Sequence, residues 1–264
     1  MKKNTRTLVF ANLIGLSAVL VVNFLANSLP LNGKTTGELS GQYPNLFTPA
    51  GPTFAIWGVL YLWFIVWGIF QVMALFDDKM GARIEPMLKK IGWLFAYACF
   101  LNIGWLFAWH WGQLLVSVVV MANLLYILTQ LNRAAGVGTS ASGSLEKWLQ
   151  HLPFGIYQGW ITVALIANVT AWLVGLGWSG AGVSEWVWAI IMAVVGGALA
   201  VFMLLWQRNV GHGLAVAWAL YGIYLARIHA TDEGSENVAL VAITLSVTIL
   251  LVVVVQNIKR FTTV

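Results

Sequence analysis

Charge is scarce in this sequence. Asp, Glu, Lys and Arg make up only 9% of its 264 residues, against about 25% in soluble domains, so a surface facing water all round cannot be built. A single cysteine, Cys99, leaves neither a disulfide framework nor a cysteine metal site. The nine carboxylates and four histidines all fall in loops or at the ends of apolar runs. No ionisable group therefore stands in a hydrocarbon midplane, where proton relays and ion-coupled carriers place theirs. The same absence argues against paired-carboxylate or Ser/His hydrolysis within a bilayer, and the chain is read as having no enzymatic activity and no metal site.

What the sequence has is apolar length. It is 60% hydrophobic, with 15 Trp and a mean hydropathy of +0.83. A spanning helix needs about 20 mostly apolar residues. Such windows lie near 8–28, 53–76, 91–109, 112–132, 152–174, 185–206, 211–228 and 238–257, predicting an all-α polytopic membrane protein of about eight transmembrane helices.

The cations support that count. With the N-terminus inside, twelve of the 14 Lys and Arg fall on inside segments, and Lys34 and Arg227 alone fall outside. This is the positive-inside pattern of cytoplasmic loops, and it predicts a multi-pass protein of the bacterial inner membrane with both termini cytoplasmic. The first apolar run exceeds a signal h-region of about 7–15 residues and reads as a signal anchor. The net charge of +5 comes from cations spread over short segments, not from one stripe, so nucleic-acid binding is set aside.

Most connections are short, but residues 29–52 form a long outside loop with Pro44, Pro49 and Pro52 near its end. Long aperiodic loops tend to be lids or disordered; proline and aromatic content favours a lid, with Phe47, Pro49 and Pro52 as its parts. Residues 134–144 are small and polar and read as a flexible linker. The echo between Trp57–Trp63 and Trp218–Tyr224 is too weak to establish a repeat.

Past Pro52, the residues Phe54, Trp57, Tyr61 and Phe64 recur at steps of three and four and are expected on one helical face. The third span carries Asn102, Trp105 and Trp109 at similar spacing, and the fifth sets Trp160, Ala164, Asn168 and Trp172 at successive steps of four. Aromatic anchoring at the interface and amides bonded between helices are the plain explanations. An aromatic wall interrupted by small residues also suits a flat ligand.

These motifs carry a resemblance. FTPAGPTFAIWGVLY, with Trp57, Leu60 and Tyr61 as WxxLY, LNIGW with Leu101, Asn102 and Trp105, and the Trp160, Ala164, Asn168, Trp172 series resemble, in order, those of the tryptophan-rich sensory proteins, the TspO/MBR or translocator family. The resemblance implies a five-helix bundle over 1–176, whose cavity takes porphyrins and other tetrapyrroles or sterols beneath the first loop. Residues 177–264 are then a three-helix extension. It implies ligand binding by Phe54, Trp57, Tyr61, Asn102, Trp105, Trp160, Ala164, Asn168 and Trp172. A homodimer is expected by analogy. Pro49 is followed by Ala50 instead of a second proline, and Asn123 stands where relatives often have an acid.

No cofactor is required, with porphyrin or haem as a candidate ligand. Propionates would look to Lys34 or Arg227, and axial ligation to His110 or His229, all more simply read as surface groups. A sterol-type pattern falls on Leu220, Tyr224 and Arg227. The leading reading is a sensor or translocator of a flat hydrophobic molecule in the lipid bilayer. The alternative is a facilitative solute transporter using Asn102, Asn123, Gln158, Thr162 and Asn168; porphyrin breakdown by cavity Trp ranks third. Gly196, Gly197, Ala200 and the stretch 211–217 offer small residues for close helix contact, which would suit a dimer surface, a lateral wall or a docking face.

Overall fold

The computed structural model describes residues 1–29, 31–139 and 143–262, with side chains described up to Gln256. Pro30 of the long loop, residues 140–142 of the linker, and the side chains of Lys259 and Arg260 lie outside the described residues. The chain is 84% helical, with no strand among the described residues. In lipid every backbone N–H and C=O must be satisfied within its own element, which is why the apolar runs are helices.

The helices in chain order are α1 Lys3–Ser28, α2 Thr36–Ser40, α3 Ile56–Phe76, α4 Asp78–Ile91, α5 Leu94–His110, α6 Leu114–Ala135, α7 Ser144–Glu146, α8 Leu152–Gly175, α9 Glu185–Gln207, α10 Val210–Arg227 and α11 Ser235–Thr262. A π-helical turn, Lys147–His151, joins α7 to α8. Each of the eight predicted spans is a helix. Six stretches are long and apolar enough to cross a membrane, against the eight expected; a seventh is reached only if α4 and α5, bent by 60°, are counted as one broken span. At 17 residues, α5 alone is short for a crossing of about 20, and α10 is diluted by His212, Arg227 and three glycines.

Helix ends are set by local chemistry. Asp77 caps α4, its carboxylate accepting from the amides of Lys79 and Met80. Gly136 ends α6 in the left-handed conformation, φ 71°. Arg208, at φ 51°, and Asn209 are the whole connection between α9 and α10, and the Asn209 side chain accepts from the His212 amide to cap α10.

The chain packs as two compact units. The first joins Met1–Thr36 to Trp57–Phe154. Its core is aromatic: Trp67, fully buried, meets Phe95 at 4.6 Å and Phe154 at 5.5 Å, and Phe64 meets Phe95 at 5.2 Å. Rings packed edge-on gain about 0.5–1.5 kcal/mol beyond area burial. Asn12 of α1 donates to Gln71 of α3 at 3.0 Å. The amphipathic α4 turns Ile84, Met87, Leu88 and Ile91 inward, and its Glu85 receives the Lys2 amide and the Thr5 hydroxyl from the start of α1.

The second unit joins Gly37–Ile56 to the chain from Gly155 onward. Here α8 and α10 pack through glycine. A Cβ at Gly155 would collide with Asn209 and approach the Gly211 Cα to 3.1 Å, and one at Gly159 would lie 2.8 Å from the His212 Cα. The spacing is GxxxG, the pattern that lets helix backbones approach in membranes. Gly197 faces Leu245 of α11, Gly196 faces Ile166 of α8, and Gly213 faces Leu204 of α9. The small residues noted in the sequence thus serve helix contacts inside this unit.

Candidate functional site

The predicted site residues divide between the two units. Trp57, Tyr61, Asn102 and Trp105 belong to the first, and Phe54, Trp160, Ala164, Asn168 and Trp172 to the second.

Of the expected face, Phe54 lies in the second unit and Trp57, Tyr61 and Phe64 in the first. Phe54 sits in a 3-10 turn, Gly51–Ala55, opened by Pro52, and the α-helix begins only at Ile56. Trp57 and Tyr61 remain together, stacked at 5.5 Å and 22°, and are half-buried. Phe64 packs in the aromatic core of this unit, against Phe95. Of the two deeper tryptophans, Trp67 is core, and Trp63 donates to the Trp148 carbonyl at 2.9 Å.

On α5, Asn102 is fully buried, and its side-chain carbonyl accepts from the Asn23 amide of α1 at 3.2 Å. Trp105 stacks on Trp109 at 6.3 Å and 21°. The end of this helix clamps the start of the long loop. The Leu31 carbonyl can only accept, so the His110 Nδ1 donates to it (3.0 Å), which leaves Nε2 to accept from the Thr36 hydroxyl (3.1 Å). Asn32 donates to the His110 carbonyl, and the Trp109 indole to that of Thr36. Expected among the interfacial surface groups, His110 is instead 1% exposed and holds the loop.

In the second unit, α8 presents Trp160, Ala164, Asn168 and Trp172 on successive turns. Trp160 and Asn168 are buried, and Ala164 and Trp172 are half-buried. Phe54 meets Trp160 edge to face, at 5.6 Å and 86°. The residues before Phe54 are bound to α10. The Ala50 amide donates to the Gly222 carbonyl (3.0 Å), and the Trp218 indole donates to the Thr53 carbonyl (2.8 Å). Thr53 is 2% exposed and lies where a Cβ at Gly222 would be. Among the lid residues, Phe47 is buried behind the turn that Asn45 builds by accepting from the Phe47 amide and the Thr48 hydroxyl. Pro49 precedes Ala50, and Pro52 opens the 3-10 turn.

A buried polar network links α8 and α10. Asn209 donates to the Gln158 side chain at 3.0 Å. The Thr162 hydroxyl donates to the Gln158 backbone carbonyl (2.9 Å), so it can only accept from the His212 Nε2, 3.2 Å away. His212 stands at the end of its span, as expected, the third residue of α10, but it is 2% exposed. A histidine near an apolar boundary carries no signal that separates surface from interior. The Gly155 and Gly159 pair was the available signal for this contact.

Other candidates are placed as follows. The Arg227 guanidinium meets the Asp232 carboxylate at 3.4 Å. Asn123 is exposed and folds its amide onto the Val119 carbonyl of its own helix. Among the described residues, no group of three His, Cys, Asp or Glu side chains could hold a metal ion.

No curated protein and no solved structure matches the chain. A family profile described as TSPO-like protein matches residues 9–255, which takes in the three C-terminal helices. The multi-pass helical architecture, the ordered tryptophan and asparagine motifs and a match over nearly the whole length give one conclusion: the chain belongs to the TSPO-like protein family.

Proposed function

We propose that this protein binds a flat hydrophobic ligand, a tetrapyrrole in first place and a sterol-like molecule in second, as a sensor or translocator. The reading is a multi-pass protein of a bacterial inner membrane with both termini cytoplasmic, acting by binding and not by catalysis. The observation that carries it is the α8 stripe. Trp160 and Trp172 flank the small Ala164 and the amide of Asn168 on one helical line, and Phe54 closes edge-on over Trp160. A planar π-system stacks on indole faces, and an amide within the stripe would orient a polar edge. Trp57, Tyr61, Asn102 and Trp105 are assigned to ligand binding on the resemblance.

The pathway reading draws less support. It needs polar side chains along a route, yet Asn123 bonds its own helix on an exposed face, and Gln158 and Thr162 are engaged with Asn209 and His212. Titration of the protein in nanodiscs with protoporphyrin IX, read by quenching of Trp emission, tests the proposal. Saturable binding that weakens in Trp160→Phe supports it. Absence of saturation by the folded protein, with flux of small solutes into proteoliposomes, would replace it with the transporter reading.

A further inference from the structure

The grip of α10 on the segment ahead of Phe54 has a consequence for access to the stripe. Ala50 and Thr53 are fixed through main-chain groups: one amide on the Gly222 carbonyl and one carbonyl under the Trp218 indole. Between these bonds the Thr53 side chain fills the niche left by the missing Cβ of Gly222. The next residue is Phe54, whose ring lies against Trp160. Trp160 is 3% exposed, and Phe54 is one of the rings against it, so moving Phe54 uncovers part of the indole. Thr53 and Phe54 are adjacent residues of one short 3-10 turn, Gly51–Ala55.

We propose that α10 is a latch: through Gly222 and Trp218 it holds Ala50–Thr53 in place, keeps Phe54 over Trp160, and so controls entry of the ligand to the α8 stripe. The gating half rests on the binding reading; the latch itself does not. The niche makes the device sensitive to one methyl group. Alanine at 222 would meet the Cβ of Thr53 at 2.8 Å as well as its outer atoms. Such a short side chain cannot swing aside, so the segment must lift.

The test uses the full chain in nanodiscs with Cys99→Ala, which leaves Thr53→Cys as the one thiol, buried when the latch is closed. Its labelling rate by N-ethylmaleimide reports lifting of the segment without any ligand. Association of protoporphyrin IX with otherwise wild-type protein, followed by stopped-flow Trp quenching, reports access. Gly222→Ala is expected to raise the labelling rate about tenfold, and Trp218→Phe, which keeps an aromatic ring of smaller size and loses the indole hydrogen bond, several-fold. The porphyrin association rate should rise by similar factors. Trp218→Phe also guards against a folding defect in Gly222→Ala, with thermal melts of both variants as the check. Labelling rates unchanged in both folded variants would overturn the latch. Faster labelling with an unchanged association rate would overturn the gating. Faster labelling with no porphyrin binding even by wild type would refute the binding reading and leave the latch standing.

Discussion

Single residues here are explained by where their polar atoms go. Asn102, a ligand candidate in the sequence, is bonded to Asn23 between α1 and α5, and interhelical bonds of this kind contribute about 0.6–2 kcal/mol in membranes. Asn102→Ala should therefore lower stability by about 1 kcal/mol, whatever it does to a ligand, and chemical unfolding in detergent measures it. Glu85 gives a pH signature. Lys89 beside it, the Thr5 hydroxyl and the Lys2 amide hold its carboxyl down from 4.5 to about 2. A carboxyl lowered by folding stabilises the folded state above its ordinary pKa, and that stabilisation is lost as pH falls towards the folded value. Melting temperatures of wild type and Glu85→Gln should accordingly differ by a constant amount above about pH 4.5 and converge towards about pH 2. A difference that holds constant down to that pH would show that the ionised carboxylate contributes nothing.

Among the elements, the close contact of α8 with α10 sets the sharpest demand. A leucine at Gly159 would drive into the His212 backbone and Ala215, and overpacking at such a contact costs about 1–3 kcal/mol or more. Gly159→Leu should lower the melting temperature markedly. Gly58→Ala on α3, where a Cβ meets nothing within 4 Å, should be neutral or stabilising by about 0.5–1 kcal/mol. Both follow from circular dichroism melts in one detergent. Helix positions were legible because a bilayer enforces a length of apolar sequence, while the count of eight spans exceeds the six, or up to seven, stretches that are long and apolar enough to cross. The place of Phe54 was not legible, because its ring contact is with Trp160, 106 positions away. Nor was the docking of Thr53 on Gly222, because 169 positions separate them and no periodicity joins them.

Over the whole molecule, the family motifs were legible as far as Trp172, while the family match runs on to residue 255. The three C-terminal helices carry none of those motifs. They are recognised by what they hold: α10 anchors the end of the long loop, and its glycines admit α8, α9 and Thr53. The candidate residues were legible as types and spacings, but their partners were not, since burial of His110, Asn102 and His212 depends on neighbours distant in sequence. The central claim is that a flat ligand lies on the α8 stripe, where Ala164 is the small residue, half-buried, between Trp160 and Asn168. The most direct test is the affinity of Ala164→Phe for protoporphyrin IX in nanodiscs, beside wild type. The account predicts at least about a tenfold loss of affinity with the melting temperature kept, because a phenyl ring fills the gap between the tryptophans. Unchanged affinity in the folded variant would contradict it and place the ligand elsewhere.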